Sequence, residues 1–189
     1  MGRTATGVRG MDLDDDGQDE VIGMICVCKD SNETVMVVSQ QGYGKRTLLD
    51  ERDENGELVL DEEGNPIAVY RITNRGGKGV KTMNITEKTG KLVSIKSVTD
   101  DNDLMIINKS GVAIRLKVAN IRVMGRATQG VRLINLEKRN DEIASVCKVP
   151  TETEEEVVVE NVEGTEKSHL SSDWGLQLDP MKSESLVIA

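Results

Sequence analysis

Arg3-Thr4-Ala5-Thr6-Gly7-Val8-Arg9 is the first of three copies of one motif, which returns as Arg75-Gly76-Gly77-Lys78-Gly79-Val80-Lys81 and as Arg126-Ala127-Thr128-Gln129-Gly130-Val131-Arg132. Each copy has an arginine four residues before a shared glycine, a valine directly after that glycine and a base one residue further on. Apolar residues follow four and six positions after the glycine: Met11, Met83 and Ile134, then Leu13, Ile85 and Leu136. Because side chains alternate along a strand, the base and these apolar residues share one face.

The first two repeats share a second unit. In each, an apolar run leads to a glycine and, four residues later, to an arginine: Gly42 and Arg46, then Gly111 and Arg115. Strand-like runs cover Val21–Val27, Val35–Val38, Leu92–Val98 and Leu104–Ile107. Each full repeat therefore predicts about four short strands separated by turns rich in Gly, Asn and Asp. No segment before residue 151 shows the 3.6-residue period of a helix.

The spacing of the shared glycine predicts an all-β, bladed architecture. It is 72 residues from Gly7 to Gly79 and 51 residues from Gly79 to Gly130. Repeats of about 40–50 residues with four antiparallel strands are typical of propeller-like folds. We expect about two and a half blades in residues 1–150, with repeats starting near 1, 73 and 124. The longer first spacing is explained by an acidic insertion at about 50–66, and an acidic, mostly irregular tail covers 151–189. A partial array favours the C-terminal piece of a longer protein.

The net charge of −9 hides an uneven distribution. Residues 151–189 hold 10 acids and 2 bases, residues 50–63 hold 8 acids and 1 base, and the remaining positions hold 15 acids and 21 bases. A basic body thus carries two acidic segments, and the tail is expected either to solubilise the chain or to compete with an anionic ligand. Aromatic residues make up only 2% of the chain, which argues against single-strand binding by base stacking. No apolar run approaches the roughly 20 residues of a membrane span.

The repeated bases are candidates for phosphate binding. An arginine beside glycines suits phosphate oxygens, because the guanidinium and nearby backbone amides both donate hydrogen bonds. A periodic row of such bases fits a duplex bent around a rim and held without base readout. The alternative is that each arginine pairs with an acid of its own blade and that the glycines serve only the turns. The residues alone leave both interpretations open, and a propeller-type protein-interaction module without DNA binding is the competing hypothesis.

Four segments resemble the C-terminal domain of DNA gyrase A: Met1–Leu13, Gln41–Thr47, Arg75–Lys81 and Met124–Leu136. The related domain of topoisomerase IV is the near alternative. The family signature is Gln-Arg-Arg-Gly-Gly-Arg/Lys-Gly, and Arg75–Gly79 matches its last five positions, with Thr73 and Asn74 in the first two. This copy is therefore a box-like repeat, and the true box is expected upstream of Met1.

The resemblance implies a β-pinwheel in which neighbouring blades exchange strands and a basic rim wraps duplex DNA. Wrapping lets ATP-driven strand passage introduce negative supercoils in the full enzyme, together with the remainder of gyrase A and with gyrase B in a heterotetramer. This chain alone is expected to lack catalytic residues, cofactor and metal, since ATP and Mg²⁺ act elsewhere in the enzyme. A cytoplasmic, nucleoid-associated location and no membrane partner are expected. The DNA-binding residues predicted are Arg3, Arg9, Lys45, Arg46, Arg75, Gly76, Gly77, Lys78, Gly79, Lys81, Arg115, Arg126 and Arg132.

Three smaller patterns indicate little chemistry. Cys26, Cys28 and Cys147 lack a C-x-x-C pair and are expected to be small buried residues rather than zinc ligands. Asp12-x-Asp14-x-Asp16-Gly17 imitates the first half of a calcium loop, but Gly23 stands where the bidentate acid belongs. A solvated acidic turn is the preferred interpretation. The tail pattern Trp174–Leu178 is compatible with docking on a partner or on an open blade edge, and equally with disorder.

Overall fold

Short strands account for nearly all regular structure in the computed structural model, which describes residues 2–13, 17, 19–28, 31–136, 140–151 and 184–186. The strands are β1 (Ile25–Val27), β2 (Thr34–Ser39), β3 (Tyr43–Leu48), β4 (Leu92–Val98), β5 (Asn102–Asn108), β6 (Ala113–Lys117), β7 (Val131–Arg132), β8 (Ile143–Pro150) and β9 (Glu184–Leu186). Within these described ranges the one helix is a 3-10 turn at Val118–Asn120, and none is long and apolar enough to cross a membrane. The all-β prediction is confirmed.

The strands form antiparallel sheets that exchange strands between repeats. One sheet has the order β4-β2-β3-β7, a second has β6-β5-β8, and β1 pairs with β9. The first sheet takes its central hairpin from the first repeat, β4 from the second and β7 from the third. The blade architecture is therefore confirmed, although the second sheet has three strands, not four, among the residues that the structure describes. The tail, expected to be mostly irregular, contributes β9, whose Leu186 lies opposite Ile25.

Strand β2 is the centre of the core. All six of its residues are buried, because the sheet is covered on both faces. Met36 and Val38 belong to an apolar cluster shared with the second sheet, where Leu104 and Ile106 lie. Val35 and Val37 point to the opposite face, into a second cluster with Tyr43, Tyr70, Met83 and Ile95. The alternation follows from the two-residue period of a strand.

The acidic insertion consists of two consecutive hairpin turns. Three backbone hydrogen bonds link Glu51, Val59 and Ile67 to one another at its base. The Glu51 amide donates to the Ile67 carbonyl at 2.8 Å, the Val59 amide to the Glu51 carbonyl at 3.0 Å and the Ile67 amide to the Val59 carbonyl at 2.9 Å. In each turn an aspartate, Asp53 or Asp61, accepts two backbone amides on one carboxylate oxygen. These amide hydrogen bonds lower the pKa of both carboxyls.

The cysteine prediction was wrong about burial. Cys26, Cys28 and Cys147 are all free and exposed. Each lies on or beside a strand near an edge of the described sheets, β1 or β8, and most positions of β8 are exposed. No group of three metal-ligating side chains occurs in the described residues. Asp14 and Asp16 of the calcium-like pattern, and Trp174–Leu178 of the tail, lie outside them.

Candidate nucleic-acid interface

Each copy of the motif folds its arginine into a four-residue turn. The turns are Gly2–Ala5, Asn74–Gly77 and Gly125–Thr128, closed by backbone hydrogen bonds of 3.1, 3.2 and 3.4 Å. The arginine is the second residue of each: Arg3, Arg75 and Arg126. The sequence repeat is therefore also a repeat of local geometry, since the same position of the same turn carries the guanidinium every time.

The backbone conformation favours glycine at the shared position in all three copies. Gly7, Gly79 and Gly130 have φ of +85°, +77° and +80°, a region that side-chain-bearing residues rarely adopt. Gly130 is also constrained by packing, because an added Cβ would lie 2.7 Å from the carbonyl oxygen of Gly44. Here the third repeat approaches strand β3 of the first.

Backbone contacts bring the first two copies side by side. The Gly76 amide donates to the Gly10 carbonyl at 3.0 Å, and the Asp12 amide donates to the Gly77 carbonyl at 3.1 Å. Met11 and Gly77 form a parallel bridge between the same segments. The amides of Gly76 and Gly77 are therefore committed to protein carbonyls, those of Gly10 and Asn74. The box-like loop consequently presents its side chains to solvent, and those two amides are unavailable to a phosphate.

The second and third copies are joined in turn. Arg126 donates from Nη1 to the Lys81 carbonyl at 3.0 Å, and the Asn84 amide donates to the Thr128 carbonyl at 3.1 Å. We call the combined surface of residues 3–12, 75–86 and 126–132 the motif row. Copies that are distant in the chain thus form one continuous stretch of contacts.

Most bases of the motif row are exposed. Arg3, Arg75 and Lys78 are exposed, and no hydrogen bond or ion pair engages their side chains within the part of the chain that the structure describes. Arg9 pairs with Asp12 at 3.1 Å, but its side chain remains 69% exposed. Such a surface pair contributes about 0–1 kcal/mol, so it leaves Arg9 available to a stronger anion. Lys81 donates to the side-chain oxygen of Asn84 at 2.9 Å and is also exposed.

Tyr43 positions Arg132. The guanidinium donates two hydrogen bonds to the Tyr43 hydroxyl, at 2.9 and 3.2 Å, and lies 5.5 Å from the centre of the ring. The Lys88 ammonium approaches the same ring at 5.8 Å. A single buried aromatic ring therefore gathers two cations by cation–π attraction at the start of β3. Tyr43 is not among the residues predicted from the sequence, although it directly follows the turn glycine Gly42 and directly precedes Gly44.

Three predicted DNA-binding bases are engaged by other groups of the protein. Lys45 and Arg46 are 0% and 7% exposed, because the third repeat covers β3. Arg46 donates to the Ile121 carbonyl at 2.8 Å and pairs with Asp100 at 2.5 Å. Arg115, its equivalent in the second repeat, pairs with Asp103 at 2.7 Å and donates to the Pro150 carbonyl at 3.0 Å. These two arginines therefore pair with carboxylates of the protein.

Lys45 meets only neutral acceptors. Its ammonium donates to the carbonyls of Gly125, at 2.7 Å, and Arg126, and to the Thr128 hydroxyl at 3.3 Å. Burial, together with the nearby Arg126 charge, lowers the pKa of Lys45 to about 8. Lys45 therefore holds the third repeat in place, whereas Arg46 holds the end of the second. Neither charged group is presented to solvent in this structure.

The chain matches a known family over most of its length. A family model described as "DNA gyrase C-terminal domain, beta-propeller" matches residues 1–28, 33–51, 66–99 and 102–148. The chain belongs to this family. The gaps in the match include positions 52–65, which form most of the two-turn insertion, so the insertion is an addition to the family pattern. The three copies of the motif all lie within matched segments.

The chain is similar to several individual proteins. The chain is 44% identical over 157 residues to the DNA gyrase A protein of Staphylococcus aureus (strain MRSA252), a match that covers 82% of this chain and 15% of the relative. It thus spans about 15% of the length of the curated relatives it matches. A solved structure of the C-terminal domain of DNA topoisomerase IV superposes with a TM-score of 0.53 at 18% identity, covering 76% of this chain and 38% of that one, which supports the fold. A DNA gyrase A C-terminal domain structure matches with a TM-score of 0.47 and 23% identity, over 63% of this chain and 34% of that one.

Proposed function

We propose that this chain is a non-catalytic DNA-binding and DNA-wrapping module of DNA gyrase A. The observation that carries the proposal is the motif row, in which three copies of one arginine turn are joined by direct contacts. Family membership and 44% identity to a gyrase A protein support the same assignment. The duplex binds along the row through its phosphates.

The chemistry of the row favours backbone contact over sequence readout. Arg3 and Arg75 offer charged donors on short exposed turns, and Lys78 directly follows the second of them. The described part of the chain has no recognition helix to enter a groove. Phosphate contacts fix the position of a duplex without reading its sequence. Because the contacts recur from repeat to repeat, a duplex that follows them bends round the body formed by residues 1–150. The revised contact set is Arg3, Arg9, Arg75, Lys78, Lys81, Arg126 and Arg132.

In the full enzyme the wrap would present a second duplex segment with a fixed crossing sign. ATP-dependent strand passage by the remainder of gyrase A and by gyrase B would then introduce negative supercoils. The partners of this module are accordingly duplex DNA and the rest of the gyrase heterotetramer, in the bacterial cytoplasm at the nucleoid. The module alone binds and bends DNA but cleaves no strand.

A salt titration of labelled duplex DNA tests binding. Affinity should fall steeply with salt, with a log–log slope of about −0.9 for each phosphate contacted. The double variant Arg3→Glu/Arg75→Glu should flatten that slope by about 2 and weaken every sequence equally. Lys117→Glu/Lys148→Glu is the control, because it changes the same charge on exposed positions of β6 and β8. An equal loss in both double variants would reject the motif row as the binding surface.

A topological assay tests wrapping separately from binding. Nicked circular plasmid is ligated in the presence of the chain, and the linking number of the product is measured. A wrap shifts the linking number in proportion to bound protein, and the row variant abolishes the shift. Tight binding without any shift would retain the DNA-binding assignment and reject wrapping.

The second candidate, a protein-interaction blade array without DNA binding, is favoured by one observation. Arg46 and Arg115, which were predicted to bind DNA, are paired with Asp100 and Asp103 instead. The same titration separates the two, since a protein-interaction module gives no salt-dependent duplex binding.

A further inference from the structure

Lys45 occupies an unusual environment for a lysine. Its side chain is fully buried, and no carboxylate pairs with it among the described residues. The ammonium has three protons, and the three acceptors it contacts are the carbonyls of Gly125 and Arg126 and the hydroxyl of Thr128. A buried ammonium is costly unless every proton is satisfied, so the match between donors and acceptors explains how it is tolerated.

The fold does not require a lysine at this position. The second repeat places Ile114 three residues after its turn glycine, where the first repeat places Lys45. Ile114 lies in the same hairpin position on β6 and packs against the apolar cluster between the two sheets. An apolar residue is thus compatible with the blade. What distinguishes β3 from β6 is the segment it meets, because β3 pairs with the third repeat through β7.

The turn that Lys45 holds is a junction of all three repeats. Gly125–Thr128 belongs to the third repeat, Lys45 reaches it from the first, and Arg126 donates from it to the Lys81 carbonyl of the second. The Asn84 amide of the second repeat also donates to the Thr128 carbonyl of this turn. A change in the conformation of this turn would therefore move Arg126 and release two neighbours together.

We propose that Lys45 is a positioning residue: its buried ammonium fixes the Gly125–Thr128 turn so that Arg126 stays in register with the motif row. This inference rests on the proposed function for its effect on DNA, but the anchoring of the turn stands without it. Lys45 itself touches no DNA. It acts through the backbone of the turn that carries Arg126.

Amide hydrogen exchange tests the anchoring directly. In Lys45→Met, which keeps the unbranched stem, exchange at residues 125–132 should become faster while exchange across β5 stays unchanged. Lys148→Met, on exposed β8, removes the same charge and should leave residues 125–132 as they are. Lys45→Ile, which imports the residue of the second repeat, provides a second variant if the first fails to fold. Unchanged exchange at residues 125–132 in the folded variants would overturn the inference.

A double-mutant cycle tests the effect on DNA. Lys45→Met and Arg126→Met should each weaken duplex binding several-fold and flatten the salt slope by about 1, since one phosphate contact is lost. If Lys45 acts through Arg126, the double variant should bind no more weakly than Arg126→Met alone. Additive losses would overturn the positioning role. A wild-type chain that binds no duplex would reject the proposed function, and hydrogen exchange alone would then decide whether Lys45 anchors the turn.

Discussion

Replacing Gly130 by alanine should disrupt the contact between the first and third repeats. Gly130 has φ of +80°, and an added Cβ would lie 2.7 Å from the oxygen and 3.0 Å from the carbonyl carbon of Gly44. These neighbours are backbone atoms of β3, next to the β3–β7 pairing, so no side-chain rotation relieves the clash. The substitution must push β7 away from β3 or distort both.

Gly111 supplies a matched control for the size of the effect. It has φ of +86°, and nothing lies within 4 Å of an added Cβ. Gly111→Ala therefore carries only the left-handed backbone strain, about 1–2 kcal/mol. Gly130→Ala carries that strain and an overpacking cost of about 1–3 kcal/mol. At roughly 2–4 °C per kcal/mol for a chain of this size, Gly130→Ala should lower Tm by about 2–12 °C more than Gly111→Ala.

The assay is thermal unfolding of both variants at one pH and salt concentration, followed by duplex titration of the folded proteins. Gly130→Ala should also weaken DNA binding, because β7 carries Arg132 and follows the Arg126 turn. Gly111→Ala should retain wild-type affinity, since its turn lies outside the motif row. Equal Tm values for the two variants would refute the close approach of Gly130 to β3 as a determinant of stability.

Three further predictions concern charge. Folding lowers the pKa of Lys45 from 10.5 to about 8, so the unfolded chain binds more protons between those two pH values. The free energy of unfolding of the wild type, relative to that of Lys45→Met, should therefore rise with pH across that window. Denaturant titrations at pH 7 and pH 10 would measure the rise. Tyr43→Phe keeps the ring but removes the hydroxyl that accepts hydrogen bonds from Arg132, so urea unfolding should show a loss of about 1 kcal/mol of stability. This variant should weaken DNA binding less than Tyr43→Leu, which also removes the ring. Equal losses of DNA affinity in the two variants would exclude the ring from positioning Arg132. Deleting residues 151–189 should tighten duplex binding at low salt if the acidic tail competes for the motif row, and unchanged or weaker binding would count against competition.

The strands were largely predictable because their signals are local. β4 occupies the predicted Leu92–Val98, and the predicted Val35–Val38 lies within β2. The turns at the repeated glycines were also predictable, and Gly7, Gly79 and Gly130 all have positive φ. Each of these features depends on a few neighbouring residues, whose turn chemistry and alternation the sequence displays directly.

Long-range pairing was not predictable from the same signals. Nothing local to Lys45 indicates that a segment 80 residues later will cover it. The pattern of bases therefore predicted DNA contacts at Lys45, Arg46 and Arg115, although all three charged groups contact protein acceptors and the first two are buried. The exposed cysteines have a similar cause, since burial of an edge strand depends on which neighbours cover it.

The two kinds of repeated arginine thus differ in where they lie on the blade. The arginine that follows Gly42 or Gly111 lies on a strand of the hairpin, where its guanidinium pairs with Asp100 or Asp103. The arginine that precedes the shared glycine lies on a turn outside the sheet, as Arg3 and Arg75 do, where no partner in the described chain neutralises it. Arg46 is buried, so its charge must be satisfied internally, and the exposed Arg115 is held by the buried carboxylate of Asp103. A charge on the turn keeps its donors for an external anion. For this reason we propose the unpaired turn bases as the DNA contacts, and we propose that the paired ones hold the blades that carry them.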